Sequence, residues 1–265
     1  MDVRESTLGA FPCLVGGSGP PLVVLAGLTP EAGVSAGSLR RMHESAMQPW
    51  AREREVFYVN RRPGLPRGMT MTVLAAEHAR ALREAFDEPV DLLGASTGGS
   101  IAQQIAAEHP DVVRRLVLVS TGCRLGPDAK LAQRHIAARV RAGATRQAVA
   151  VMAGALPPPA LRLPAACLGW LLAPGLFSES GLQDMATTIE AEDAFDLAQL
   201  PTVRAPTLLV GGGRDRFYDR ELFEQTARLI LGCVLEMHPE RGHITVISDR
   251  RAVAQIRGFL NHDKN

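Results

Sequence analysis

The chain has 265 residues, a formal net charge of +1, 46% hydrophobic residues and 22% charged residues. A chain of this length and balance buries a substantial core without disulfides. It also carries no global field that would recruit nucleic acid or an anionic membrane surface.

The four cysteines, Cys13, Cys123, Cys167 and Cys233, form no CxxC metal or redox motif. They are expected to be buried, reduced thiols, which fits a cytoplasmic setting. The N-terminal MDVREST lacks the apolar core of a signal peptide. The most apolar stretch, 164–177, is broken by Gly169, Pro174 and Gly175 and is too short to span a bilayer. No membrane partner is therefore expected, and the oligomeric state is left open.

In chain order, residues 10–15 predict a short strand, followed by a glycine-rich turn, GGSGP. Continuous apolar runs at 22–26 (LVVLA), 56–60 (VFYVN), 90–93, 116–119 (LVLV) and 207–210 (TLLV) have the pattern of strands covered on both faces. Residues 234–237 make a last strand. Helices are predicted over 70–86, 100–109 (ended by Pro110), 220–230 and 250–260. Alternation of this kind predicts an α/β fold with a mostly parallel, doubly wound sheet. Residues 123–200 differ: they read as helices and loops, with Pro157-Pro158-Pro159 as a break. The expected organisation is a core from 1–122 and 201–265, with 123–200 inserted as an α-helical cap over the strand ends, where open α/β sheets bind ligands.

The chemistry concentrates at Gly94-Ala95-Ser96-Thr97-Gly98. A strand-to-helix turn of this form holds its central residue in a strained conformation with the side chain exposed, and the glycines avoid collisions with strand and helix. The Thr97 N–H then lies at a helix N-terminus, where negative charge is favoured. By itself the five-residue motif is equally a glycine-rich loop with a capping serine. Its position after the third core strand favours a nucleophile. A serine hydroxyl needs a base, expected C-terminal with an acid between them. Asp215 follows TLLV-GGGR and His243 follows the last strand. Both fall on loops at the same sheet edge as Ser96.

With these residues assembled, the sequence resembles the α/β-hydrolase superfamily, in its serine-nucleophile branch with a helical cap. The resemblance runs through LVVLAG, GASTGGSIA, HPDVVRRLVLVS, GGGRDRFY and the final RGH. It implies Ser96 as nucleophile, His243 as general base and then acid, and Asp215 as the group that orients the imidazole. It also implies an oxyanion hole made by the backbone N–H groups of Thr97 and Leu28. Two positions depart from the common pattern: Ala26 stands where histidine is frequent, leaving the anchoring of that loop unexplained, and Thr97 stands where Met or Gln is frequent. The implied reaction is hydrolysis of a carboxylic ester or thioester of a small molecule with a hydrophobic acyl or aromatic moiety. The implied chemistry requires no organic cofactor or metal, and GGGRD, which lacks GxGxxG or a P-loop lysine, does not argue for nucleotide binding. The same triad also serves lyases, acyltransferases, cyclases and C–C bond hydrolases, and a vestigial triad serves ligand binding; fold and triad do not separate these.

Each role has rivals. His238, at the end of the last strand, competes with His243. Asp219 reads as a helix N-cap, and Asp193 belongs to an acidic group, Glu190, Glu192, Asp193 and Asp196, that reads as a solvated face rather than a pocket wall. His78 and His109 read as satisfied or solvated helix histidines, and His262 lies in the polar tail. His43 and His135 lack the position of a base. Trp170 and Arg62 are candidates for substrate binding, the second through a bidentate carboxylate contact. The plainer role for Arg61 and Arg62 is to organise their loop through backbone carbonyls.

Overall fold

The computed structural model describes residues 2–155 and 159–261. The break expected at Pro157 and Pro158, and His262, lie outside the described residues. The chain opens with an antiparallel pair, β1 (Val3–Leu8) and β2 (Phe11–Gly17). The sequence signals β2 but not β1, in which only Leu8 is buried. A strand that exposes Arg4, Glu5 and Thr7 and buries one residue has the composition of a sheet edge rather than of a core.

Next come β3 (Pro21–Leu25), α1 (Gly37–Met47), β4 (Glu55–Val59), α2 (Met71–Ala85), β5 (Val90–Ala95), α3 (Thr97–Glu108) and β6 (Val113–Val119). Four helices separate β6 from the next strand: α4 (Pro127–Arg141), α5 (Thr145–Ala155), α6 (Arg162–Leu172) and α7 (Glu179–Asp193). The chain closes with β7 (Thr207–Gly212), α8 (Arg220–Leu229), β8 (Val234–His238) and α9 (Arg250–Leu260). Helix α1 is not anticipated by the sequence. It buries only His43 and Met47 and has no side-chain cap, so it carries neither a wide apolar stripe nor a start signal.

The eight strands form one sheet in the order β1-β2-β4-β3-β5-β6-β7-β8. β2 runs antiparallel to β4, and every pair from β4 to β8 is parallel. The continuous apolar runs follow from this. Val23, Leu25, Leu92, Leu116, Leu118 and Leu209 enter one core with residues of α2, α3 and α8. Their neighbours Leu22, Val24, Leu93, Val117, Leu208 and Val210 enter a second core with Met47, Trp50 and residues of α9. Side chains alternate between faces, and both faces are covered. A third cluster joins Ile136, Val140, Ala148, Leu182, Met185 and Ile189 of α4, α5 and α7, and Leu28 packs against it. Among the described residues no helix is long and apolar enough to cross a membrane. Cys13 and Cys123 are buried free thiols as expected, but Cys167 is exposed, because it lies on α6, where Gly169 is the buried residue.

One buried ionic group ties distant parts of the sheet together. The Asp91 carboxylate, fully buried at the start of β5, accepts from Arg54 Nη1 at 2.6 Å and Arg114 Nε at 2.9 Å. Arg54 also donates to the Leu260 carbonyl and to Asn261 Oδ1, holding the end of α9.

His78 is buried, with Nδ1 2.8 Å from the Leu74 carbonyl oxygen and its ring centroid 4.0 Å from that of Phe11. Burial pushes its pKa down to about 4, and does the same for His43 stacked on Tyr58. A depressed folded-state value means that the unfolded chain binds more protons as pH falls from about 6.5 to about 4. The stabilisation is complete above that window and is lost on acidification through it. His78→Phe is expected to make the pH dependence of unfolding free energy shallower there, by up to about 1.4 kcal/mol per pH unit. Urea unfolding of both proteins between pH 4 and 7 checks this; parallel curves would refute it.

Candidate active site

Strand β5 delivers Ser96 to the mouth of α3. Ser96 has φ 51° and ψ −123°, one of two described non-glycine residues with positive φ. Such a conformation costs about 1–3 kcal/mol and persists only where its surroundings enforce it. Here the Ser96 N–H donates to the Val119 carbonyl at 3.0 Å. The glycines answer to close approach: a Cβ at Gly98 would sit 2.2 Å from the Leu25 carbonyl oxygen, and one at Gly94 2.5 Å from that of Gly98. With no side chain at either position, α3 seats against the ends of β3 and β5. The Gly99 and Ser100 N–H groups donate to the Ser96 carbonyl at 2.7 and 3.2 Å, and the Thr97 N–H precedes these first helix bonds.

His243 Nε2 lies 3.0 Å from Ser96 Oγ, and His243 Nδ1 lies 2.8 Å from Asp215 Oδ2. The Asp215 side chain is fully buried. Its other oxygen accepts the N–H groups of Phe217 at 2.8 Å and Tyr218 at 3.2 Å. The same turn therefore orients the carboxylate and lays two rings against the imidazole. Phe217 meets it edge-on at 4.7 Å between centroids, and Tyr218 lies nearly parallel at 5.9 Å. The His243 carbonyl accepts from Ser120 Oγ at 2.7 Å. Ser120 is the other described non-glycine residue with positive φ, so both strained positions bear on this site. An acceptor at Nδ1 favours the tautomer with the proton there, leaving the Nε2 lone pair towards the serine hydroxyl.

The rivals are committed elsewhere. His238 Nε2 pairs with Gln255 at 2.9 Å, and its Nδ1 faces Asp249 at 3.3 Å. Asp219 caps α8 through the Leu222 N–H at 2.8 Å. His135 lies on α4, in the wall of a groove of about 560 Å³.

The loop bearing Leu28 runs beside Ser96: a Cβ at Gly27 would lie 3.4 Å from Ser96 Cβ. Its anchoring, unexplained by Ala26, comes from the end of β4. Asn60 Nδ2 donates to Thr29 Oγ1, to the Glu31 carbonyl at 2.8 Å and to that of Gly33, and the buried Arg61 donates to the Thr29 and Gly181 carbonyls. Arg61 thus takes the structural role. Arg62, the candidate for a substrate carboxylate, instead has its fork filled by Glu77, with Nε and Nη2 each at 2.8 Å. The partner it needed was already supplied by α2. Trp170 lies half-exposed on α6 with the Arg146 guanidinium 4.7 Å above its ring. It does not line the groove, whose walls include Leu131, His135, Val151, Leu163, Arg216 and Phe217.

The acidic group in α7 is not a uniformly solvated face. Asp193 and Glu190 pair with Arg134 and Arg141 at the surface. Glu192 is fully buried, and its carboxyl meets Thr97 Oγ1 at 2.8 Å, Ser100 Oγ at 2.7 Å and Gln133 Nε2 at 3.2 Å. A helix displays successive residues about 100° apart, so Glu192 faces inward while Glu190 and Asp193 of the same helix face the surface; Asp196 lies beyond α7 and accepts the Ala198 N–H. The sequence signal that could have found it is the pair of hydroxyls, Thr97 and Ser100, one helical turn apart.

Comparison with known proteins agrees with this architecture. A 32% identity over 262 residues relates 90% of the chain to 12% of the polyketide synthase ThaQ of Burkholderia thailandensis. A 32% identity over 200 residues relates 69% of it to 60% of a pimeloyl-[acyl-carrier protein] methyl ester esterase of Neisseria meningitidis. The chain thus spans less than two thirds of the length of each of these relatives. Among solved structures, a hydrolase from Pseudomonas aeruginosa superposes with a TM-score of 0.73 at 24% identity, covering 98% of both chains. The enol-lactonase of Burkholderia xenovorans gives 0.69 at 20% identity, covering 97% of this chain and all of that one. The model of the alpha/beta hydrolase family matches residues 22–256; with the sheet order described above, the chain belongs to the alpha/beta hydrolase family.

Proposed function

We propose that the chain is a serine hydrolase of carboxylic esters or thioesters, working through an acyl-enzyme on Ser96. The observation that carries this reading is the continuous hydrogen-bond chain Ser96–His243–Asp215 at 3.0 and 2.8 Å. His243 Nε2 takes the hydroxyl proton as Ser96 Oγ attacks the substrate carbonyl. Asp215 holds the ring and stabilises the imidazolium that forms. The oxyanion meets the backbone N–H groups of Thr97 and Leu28, each typically worth about 10²–10³ in rate. His243 then protonates the leaving alcohol or thiol, and water, activated by the same nitrogen, releases the acid.

The helices of 123–200 act in this reading as a cap. The groove among α4, α5 and α6 reaches Phe217, which touches the His243 ring, and its mostly apolar wall suits a hydrophobic acyl or aromatic moiety. The acyl-carrier-protein ester named for one relative, and the polyketide synthase named for another, lend support to acyl esters and thioesters as the substrate class.

A small fluorophosphonate, which traps an activated serine as a tetrahedral phosphonyl adduct, tests the reading. Intact mass and peptide mapping are expected to show one adduct, on Ser96, and none in Ser96→Ala. An unlabelled folded protein, or labelling at another residue, would reject it.

A further inference from the structure

Glu192 is a carboxyl group removed from water and placed beside the nucleophile by a helix 95 residues further along the chain. Burying such a group costs several kcal/mol unless its oxygens are satisfied. Here two hydroxyls of the first turn of α3 and the Gln133 amide of α4 satisfy them. Ser100 extends the network to Tyr218, whose hydroxyl also meets Thr121 and whose ring lies along His243. Burial raises the Glu192 pKa; the hydrogen bonds from Ser100, Thr97 and Gln133 and the charge on His243 act against that rise. Docking α7 does not require this group, because Leu182, Met185 and Ile189 of the same helix already pack it against α4 and α5.

Resting on the acyl-transfer reading of Ser96, we propose that Glu192 is a positioning residue for that reaction: its carboxyl clamps the Thr97 and Ser100 hydroxyls and so fixes the first turn of α3, from which the Thr97 N–H meets the oxyanion. The clamp links a helix of the inserted segment directly to the reacting centre. Removing it leaves the nucleophile, base and acid in place but lets the oxyanion donor drift, and small misplacements of such groups are costly.

The test is the rate at which the fluorophosphonate phosphonylates Ser96, measured at saturating probe and well below each variant's unfolding temperature. Glu192→Ala and Thr97→Val are each expected to slow it by about tenfold or more, with little change in half-saturating probe concentration. Glu192→Gln keeps an acceptor oxygen for the hydroxyls and is expected to recover most of the rate. Asp193→Ala, which cuts the neighbouring surface ion pair with Arg134, is expected to react as wild type. The double variant Glu192→Ala/Thr97→Val is expected to be no slower than the slower single variant, because Glu192→Ala already removes the contact that Thr97→Val removes.

A folded Glu192→Ala protein reacting at the wild-type rate overturns the proposal. So does an equal slowing by Asp193→Ala, which would mean general loosening of the cap. Should Glu192→Ala fail to fold, Thr97→Val decides: a wild-type rate there overturns the clamp. A wild-type protein that is not labelled at Ser96 rejects the acyl-transfer reading itself, and the proposal with it; labelling that is insensitive to Glu192 rejects the clamp alone.

Discussion

Ser96→Ala and His243→Ala are each expected to lower kcat/KM on an activated ester, such as a p-nitrophenyl acyl ester, by about 10⁴-fold or more. Ser96→Ala is expected to change thermal stability little. His243→Ala removes the imidazole partner of the fully buried Asp215 carboxylate, which keeps the Phe217 and Tyr218 N–H groups, so it is expected to lower the unfolding midpoint while the protein stays folded. The two losses are expected not to add, because the serine and its base act as a unit. Asp215→Asn should cost about 10⁴-fold by itself. An amide nitrogen facing Nδ1 would impose the wrong tautomer, while the amide oxygen still accepts from Phe217 and Tyr218. Near-normal turnover in His243→Ala would make another group the base. His238 would then have to leave Gln255 and Asp249 to reach the serine.

The second large effect lies away from the chemistry. Asp91→Ala is expected to destabilise the protein by about 3–5 kcal/mol, the usual cost of leaving a buried charge without its partner. Arg54 would keep its contacts with Leu260 and Asn261 but lose the carboxylate that compensates its charge. Because Asp91 begins β5, which ends at the nucleophile, and Arg54 holds α9, the loss reaches both the elbow strand and the C-terminal helix. For a chain of this size the unfolding midpoint should fall by on the order of 10 °C. Calorimetry of Asp91→Ala against wild type gives the answer, and an unchanged midpoint would show that Arg114 and Arg54 find solvent or other acceptors. Asp91→Asn is expected to fall between the two, since its amide oxygen still accepts one guanidinium.

Both results bear on how strain is held at this site. Ser96 and Ser120 adopt backbone conformations that L-residues avoid, and each ends a central strand. Parallel pairing through β3, β5, β6 and β7 holds those strand ends rigidly, and Ser120 uses its position to fix the His243 carbonyl. Ser96 and His243 are thus oriented by the same sheet edge.

The amino-acid sequence by itself determined the alternation of strands and helices, the doubly wound sheet, the elbow at Ser96 and the order Ser96, Asp215, His243. The alternation, the sheet and the elbow follow from short-range properties: period and continuity of apolar residues, turn stereochemistry and the glycines beside a tight turn; the order Ser96, Asp215, His243 rested on loops after strands and on the resemblance to the α/β-hydrolase superfamily. Strand β1 and helix α1 escaped because their residues are mostly polar and exposed, and only their neighbours make them regular. The sequence also could not distinguish Arg62 bound to substrate from Arg62 bound to Glu77, nor pick Glu192 from Glu190, Asp193 and Asp196. The anchoring of the Leu28 loop by Asn60 and Arg61 was equally invisible, since it depends on carbonyls about 30 residues away in a neighbouring strand–loop connection. Only the tertiary structure decides such contacts, because a charged side chain takes whichever partner the fold brings within about 3 Å, and chain separation carries no information about that.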